Sequence, residues 1–234
     1  MARFFVSCLI LLTLLAPHTA RADTVYAAQS GSARPAGTYP FLWNSTEIRS
    51  PNMTAFTNWN GVMARFHQAE TLGQGMCATA AGGSFSGGDQ CEWDQWQGII
   101  ASVKNLSPME QLRKVNDLMN SHRYVLDRVN WGMDDYWQTV FEFLRRNGDC
   151  EDYAIAKYVT LRAAGWPADN LRIIILRDTK LNLNHAVLAA YTPDGIYIGD
   201  NQVDGLVRAD NIRHYRPIYS INENFWWLHR PKNG

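Results

Sequence analysis

Cys150 stands where a thiol is most readily made into a nucleophile. Asn147-Gly148 closes one helical pattern, because both residues tolerate the left-handed conformation that ends a last turn. Asp149 is then a natural N-cap, with Asp152 three residues on as its reciprocal capping partner. This places Cys150 in the first helical position, where free N–H groups and the positive end of the helix dipole favour a thiolate. Such sites lower a cysteine pKa from ~8.5 into the range ~3.5–7.5. A cysteine taken blindly from a helix is more often a small buried hydrophobe. The capped position argues for the nucleophile.

A base and its orienter follow from strand register. If Tyr191 pairs with Ile196 across the Thr192-Pro193-Asp194-Gly195 turn, Asp200 lies opposite Val187, and His185 and Asp200 project from one face as diagonal neighbours. A slip of one residue would separate them. Cys150, His185 and Asp200 thus make a nucleophile, base and orienter set suited to attack on a carbonyl carbon. The N–H of Cys150 offers one oxyanion donor; Trp131 or a nearby amide side chain is a candidate for the second.

Three carboxylates crowd this thiol: Asp149, Glu151 and Asp152. Capping and dipole complementation account for Asp149. Three anions beside a thiolate would raise its pKa unless a cation neutralises them, and a hard cation with oxygen ligands, Ca²⁺ above all, fits that need. The chain has no EF-hand loop, no H-E-x-x-H and no paired C-x-x-C, so zinc has little support.

Helices come first among the elements that must hold these groups. Trp59, Val62, Met63 and Phe66 fall at helical spacing, as do Trp93, Trp96, Ile99, Ile100 and Val103. Ser107-Pro108-Met109-Glu110 starts a third helix, with Leu112, Val115, Leu118 and Met119 on its buried face. Residues 124–130 read as irregular or a short strand. Asp134 or Asp135 is expected to cap the next helix, which buries Trp137, Val140, Phe141 and Leu144. The Cys150 helix stops at Gly165-Trp166-Pro167. Beyond it the period changes to two, with strands expected at 171–176, 184–191, 195–200 and 216–221, and residues 225–228 packed against them. Helices followed by antiparallel strands make the class α+β.

Residues 1–22 read as a secretory signal, with Arg3, an apolar run from Phe4 to Ala16 and the Ala20-Arg21-Ala22 cleavage pattern. That run is too short to span a bilayer, so no integral membrane anchor is expected. Residues 23–45 form an irregular arm and 46–234 a single domain. Cleavage removes two arginines and no acid, leaving 20 basic and 22 acidic residues, a balance that gives no support for nucleic acid as partner. Cys8 leaves with the signal. Cys77 and Cys91 can then close the Gly- and Ser-rich loop between them as a disulfide, which leaves Cys150 free unless it pairs with one of them.

Residues 147–158 (Asn-Gly-Asp-Cys-Glu-Asp-Tyr-Ala-Ile-Ala-Lys-Tyr), 182–188 (Asn-Leu-Asn-His-Ala-Val-Leu) and Gly199-Asp200-Asn201 closely resemble the bacterial transglutaminase-like cysteine proteinases, whose best-known branch is the LapG-type periplasmic protease. The likeness runs from about Trp59 to Trp227. It implies a papain-like, transglutaminase-type core with the nucleophile helix packed on an antiparallel sheet, and catalytic Cys150, His185 and Asp200. It also implies calcium dependence through Asp149 and Glu151, with Asp152 less firmly included. In the LapG-type branch it implies a large surface adhesin as substrate, cut at a di-alanine site to release cells from a biofilm. An inner-membrane cyclic di-GMP receptor acts there as inhibitor. Two alternatives share parts of this chemistry: a transglutaminase or peptidoglycan amidase, and a non-catalytic calcium-binding adaptor.

Overall fold

A single antiparallel sheet of seven strands carries the chain's second half and is closed at one edge by residues from near its start. A computed structural model describes residues 42–80 and 91–232; the expected signal, most of the expected arm and the middle of the Gly-rich loop lie outside them. The strands are β1 (Ser45–Ser50), β2 (Leu171–Asp178), β3 (Leu183–Thr192), β4 (Gly195–Gly199), β5 (Leu206–Arg208), β6 (Tyr215–Ile221) and β7 (Trp226–Pro231). They lie in the order β1-β7-β6-β2-β3-β4-β5. Among the described residues, seven α-helices precede β2: α1 (Thr57–Leu72), α2 (Gly75–Ala80), α3 (Glu92–Val103), α4 (Pro108–Asn120), α5 (Asp127–Asn130), α6 (Val140–Arg146) and α7 (Cys150–Ala163). The class is α+β, as expected.

The hub is α7. Every residue from Glu151 to Leu161 is buried, so this helix has no solvent face and is packed on all sides. Helices α4 and α6 flank it and β3 and β2 lie beneath it. The continuous apolar run of β2 is explained by burial on both faces: Ile173 joins the helical core, while Ile174 and Leu176 join a second core on the far side of the sheet. The aromatic stripe of α3 is core, and Trp96 donates from Nε1 to Thr160 Oγ1 at 3.0 Å. Ser107 and Glu110 form the expected capping box.

Three local expectations are corrected. The helix after Trp137 begins at Val140, capped by Thr139 with Glu142 in return, because Asp135 is committed elsewhere: Asn58 Nδ2 and Trp137 Nε1 donate to it at 2.7 and 3.1 Å. Residues 127–130 form one helical turn, and only Tyr124 makes a bridge, to Gly148. The expected arm ends in structure: Leu42 is buried in the second core, Ser45 starts β1, and β1 pairs with β7. Cys77 and Cys91 are disulfide-bonded with Cα atoms 5.6 Å apart, and Cys150 is the free cysteine among the described residues. No described helix is long and apolar enough to cross a membrane.

Leu112 has no exposed surface and sits in the helical core. Leu112→Ala is expected to lower unfolding free energy by about 2–5 kcal/mol, as urea titration would measure; a loss below about 1 kcal/mol would mean that the α4 face is not core.

Candidate active site

The register anticipated from the turn is the one observed, with Tyr191 opposite Ile196 and Leu188 opposite Gly199. Asp200 follows the last residue of β4, and His185 Nε2 lies 2.9 Å from its Oδ1. The Gln202 N–H also donates to Oδ1, at 2.9 Å, and the Tyr215 hydroxyl donates to Oδ2. Burial works to raise the Asp200 pKa, but these donors outweigh it and hold the carboxyl below its ordinary range. An ionised Asp200 can only accept, so Nε2 of His185 carries the hydrogen and Nδ1 carries the lone pair. That Nδ1 is buried and has no hydrogen-bond partner. Tyr215 was not anticipated; it is a strand residue separated from Asp200 by 15 positions, and no spacing rule connects them.

The thiol reaches this pair through the strand backbone. Cys150 is half-buried at the start of α7, and the backbone of Ala186, the residue after His185, lies beside its sulfur. Its own hydrogen bond runs to Glu151 Oε2, at 3.2 Å. The expected lowering of the thiol pKa is not found. Burial, and after it the negative charge of Glu151, push it well above the ordinary value. Sequence reasoning weighed the helix dipole in favour of a thiolate; the desolvation it could not see is the larger effect.

Around the thiol the carboxylates are more numerous than the motif suggested. Single oxygens of Asp127, Asp149 and Asp152 lie within 4.8 Å of one another, and so do single oxygens of Asp127, Asp135 and Glu151. Asp127 comes from α5 and Asp135 from the extended run before α6, too far along the chain for any spacing to reveal them. Burial holds all four inner carboxyls above their ordinary range: Asp127 at about 6, Glu151 at about 10, Asp149 and Asp152 also raised. Oδ1 of Asp127 and Oδ1 of Asp149 are buried without a partner. Asp152 differs. Its oxygens accept the Gln138 N–H, Gln138 Nε2 and, at 3.1 Å, the Asp149 N–H. Two orphaned oxygens in an all-oxygen, net-negative nest suit a hard cation better than a soft one.

The turn before α7 is shaped to bring these groups together. Asn147 carries the left-handed conformation (φ 63°), while Gly148 is required for space. A Cβ at position 148 would lie 2.7 Å from Asp152 Cβ and 2.8 Å from Gln138 Nε2. Trp131, the suggested oxyanion donor, has a buried and unpartnered Nε1. Its ring packs 4.5 Å from that of Tyr136, with the Arg146 guanidinium on it, and nothing directs it to the thiol.

A thiol at a helix start, set against a strand bearing a His–Asp pair, is the layout of papain-like and transglutaminase-like enzymes. Residues 88–227 match the family of bacterial transglutaminase-like cysteine proteinases, and the chain belongs to that family. It is a cysteine protease. Among solved structures it is similar to calcium-bound Legionella pneumophila LapG, at 34% identity over 70% of this chain and 87% of that one, with a TM-score of 0.56. The EGTA-treated form of the same protein gives 33% identity over 72% and 88%, with a TM-score of 0.58. No curated protein matches the chain significantly.

Two outcomes are expected of this geometry. Gly148→Ala should cost about 1–3 kcal/mol of stability by driving Asp152 and Gln138 apart, measurable by denaturant titration; an unchanged midpoint would show the turn to be slack. The raised carboxyls set a pH dependence of definite sign. Their folded-state pKa values exceed the unfolded ones, so the stability they contribute is present below the ordinary carboxylate range. It is lost as pH rises through about 6 at Asp127 and about 10 at Glu151. With chelator present, the melting temperature should therefore fall further below that of the cation-loaded protein at pH 8 than at pH 5. A gap that does not change with pH would contradict the cluster's electrostatics.

Proposed function

We propose that this protein is an exported, calcium-dependent cysteine endopeptidase in which Cys150 is the nucleophile, His185 the base and Asp200 its orienter. The observation that carries the reading is the Cys150 sulfur at the start of α7 beside the Ala186 backbone, with the adjoining His185 bonded through Nε2 to Asp200. His185 Nδ1 takes the thiol proton as the sulfur attacks the scissile carbonyl carbon. The Cys150 N–H faces the oxyanion, His185 returns the proton to the leaving amine, and a thioester forms. Water activated by the same nitrogen then hydrolyses the thioester and restores the thiol. Asp127, Asp149 and Glu151, with Asp135 beside them, would hold Ca²⁺, which supplies the positive charge this nest lacks. Asp152 adds its charge while its oxygens stay on Gln138 and Asp149. With Glu151 held by that ion, its Oε2 would be drawn from the thiol, whose hydrogen would then be available to His185.

The resemblance supports a large cell-surface adhesin as substrate and an inner-membrane cyclic di-GMP receptor as regulator. The leader-like residues 1–22 support action in the periplasm. Comparing the surface proteins released by cells carrying wild-type or Cys150→Ala enzyme tests this directly. The variant is expected to release none, and the purified variant to lose about six orders of magnitude in kcat/KM while still folding. Chelation of the wild type should abolish release until calcium is restored. Release by Cys150→Ala would remove the nucleophile, indifference to chelator would remove the metal, and product joined to an added amine would point to acyl transfer in place of hydrolysis.

A further inference from the structure

Lys157 lies two helical turns from Cys150 on the same face of α7. It is 1% exposed, and its Nζ has no hydrogen-bond partner. Its stem runs under the end of β4, where a Cβ at Gly199 would lie 3.7 Å from Lys157 Cδ and 3.0 Å from Asn116 Oδ1. One turn after Asn116, Asn120 donates from Nδ2 to the Asp200 carbonyl oxygen at 2.7 Å. Two helices therefore grip the strand end that delivers Asp200, and one of them places a lysine there. The charges that act on Nζ are those of Asp200 and, from the exposed side of α4, Asp117, and the Tyr153 ring lies 5.9 Å away. Burial draws the ammonium down to about 7 against the pull of Asp200 and Asp117, so it is charged below neutral pH.

Transfer of the thiol proton to His185 turns two neutral groups into an ion pair and leaves their total charge at zero. The negative charge of Asp200 is thus unbalanced within the three residues at both ends of the step. We propose that Lys157 is a positioning residue whose buried ammonium is the counter-charge of Asp200, and that through Asp200 it governs how firmly His185 holds its proton. The inference rests on the reading of His185 as the base. A positive charge behind Asp200 weakens the carboxylate's hold on an imidazolium, so the ring both accepts a proton and gives it up. The other groups around His185 are Tyr215, with ring centres 6.1 Å apart, and the Cys150 thiol beside Ala186.

The test is ¹⁵N NMR of the His185 ring in the full mature chain with calcium chloride present, followed from about pH 4 to pH 9 in wild type and Lys157→Met. Methionine keeps the length of the stem and removes the charge. His185 in the variant is expected to take up its proton at about tenfold lower hydrogen-ion concentration. A purely structural lysine would leave the His185 titration of the folded variant where it is in wild type. An unmoved His185 titration in folded Lys157→Met overturns the proposal. Should that variant not fold, the Lys157 Nζ signal in wild type and Asp200→Asn decides the matter: loss of the carboxylate charge should make Nζ release its proton at lower pH, and no movement overturns the proposal. Undiminished substrate cleavage by His185→Ala would instead remove the base assignment, a failure separate from that of the Lys157–Asp200 coupling.

Discussion

Four carboxylates buried around one helix start, with no cation among the described side chains to meet them, are the constraint around which this fold is arranged. Asp149, Glu151 and Asp152 cannot be separated, because they share the first turn of α7, and α5 brings Asp127 against them. Like charges at this spacing, away from water, must be protonated, hydrogen-bonded or neutralised. The protein does the second for Asp152 through Gln138, and in part for Asp127 through the Tyr136 N–H. It leaves Asp149 Oδ1 and Asp127 Oδ1 unsatisfied. Those two atoms mark where neutralisation has been left to something from outside the chain.

The opposite end of the site is built the other way. Asp200 has a donor on each oxygen and its backbone carbonyl on Asn120, so its ionised form is secured from three elements. The His185 tautomer follows from that alone. One region of the site is thus under-determined electrostatically and open to a ligand, while the other is closed and fixed. The proposed base pair would draw on the second property and the proposed metal on the first, and α7, which carries Cys150 and Glu151, packs against the strand that carries His185.

What could be read in the sequence was what local rules govern. The β3–β4 register followed from one turn, the Asp149–Asp152 capping from four residues, and the disulfide from cysteine arithmetic; each is a short-range constraint. Asp127, Asp135, Tyr215 and Lys157 escaped because they reach the site only through packing. Lys157 looks in sequence like a solvated residue of an amphipathic helix, and only the burial of α7 on every side makes it otherwise. The β1–β7 pairing escaped for the same reason, since it joins residues more than 170 positions apart. Asp135 shows the converse error: it had a cap's chemistry and neighbourhood, but Asn58 on α1, remote in sequence, claimed it first.

The thiol shows which effect wins when local and global influences disagree. A helix N-terminus is worth about 0.3–1 kcal/mol to an anion, less than the 1.36 kcal/mol that shifts a pKa by one unit. The penalty for holding a charge out of water is several kcal/mol, and the adjoining Glu151 adds to it. The dipole alone therefore cannot ionise Cys150. Two changes would favour ionisation: transfer of the proton to a base close enough to form an ion pair with the sulfur, and withdrawal of the Glu151 oxygen that accepts the thiol's hydrogen. On the proposed reading His185, with its unpartnered Nδ1, would serve the first, and a cation held at the orphaned oxygens of Asp127 and Asp149 would serve the second. The chemistry of the thiol is thereby tied, on that reading, to the occupancy of the acidic nest next to it.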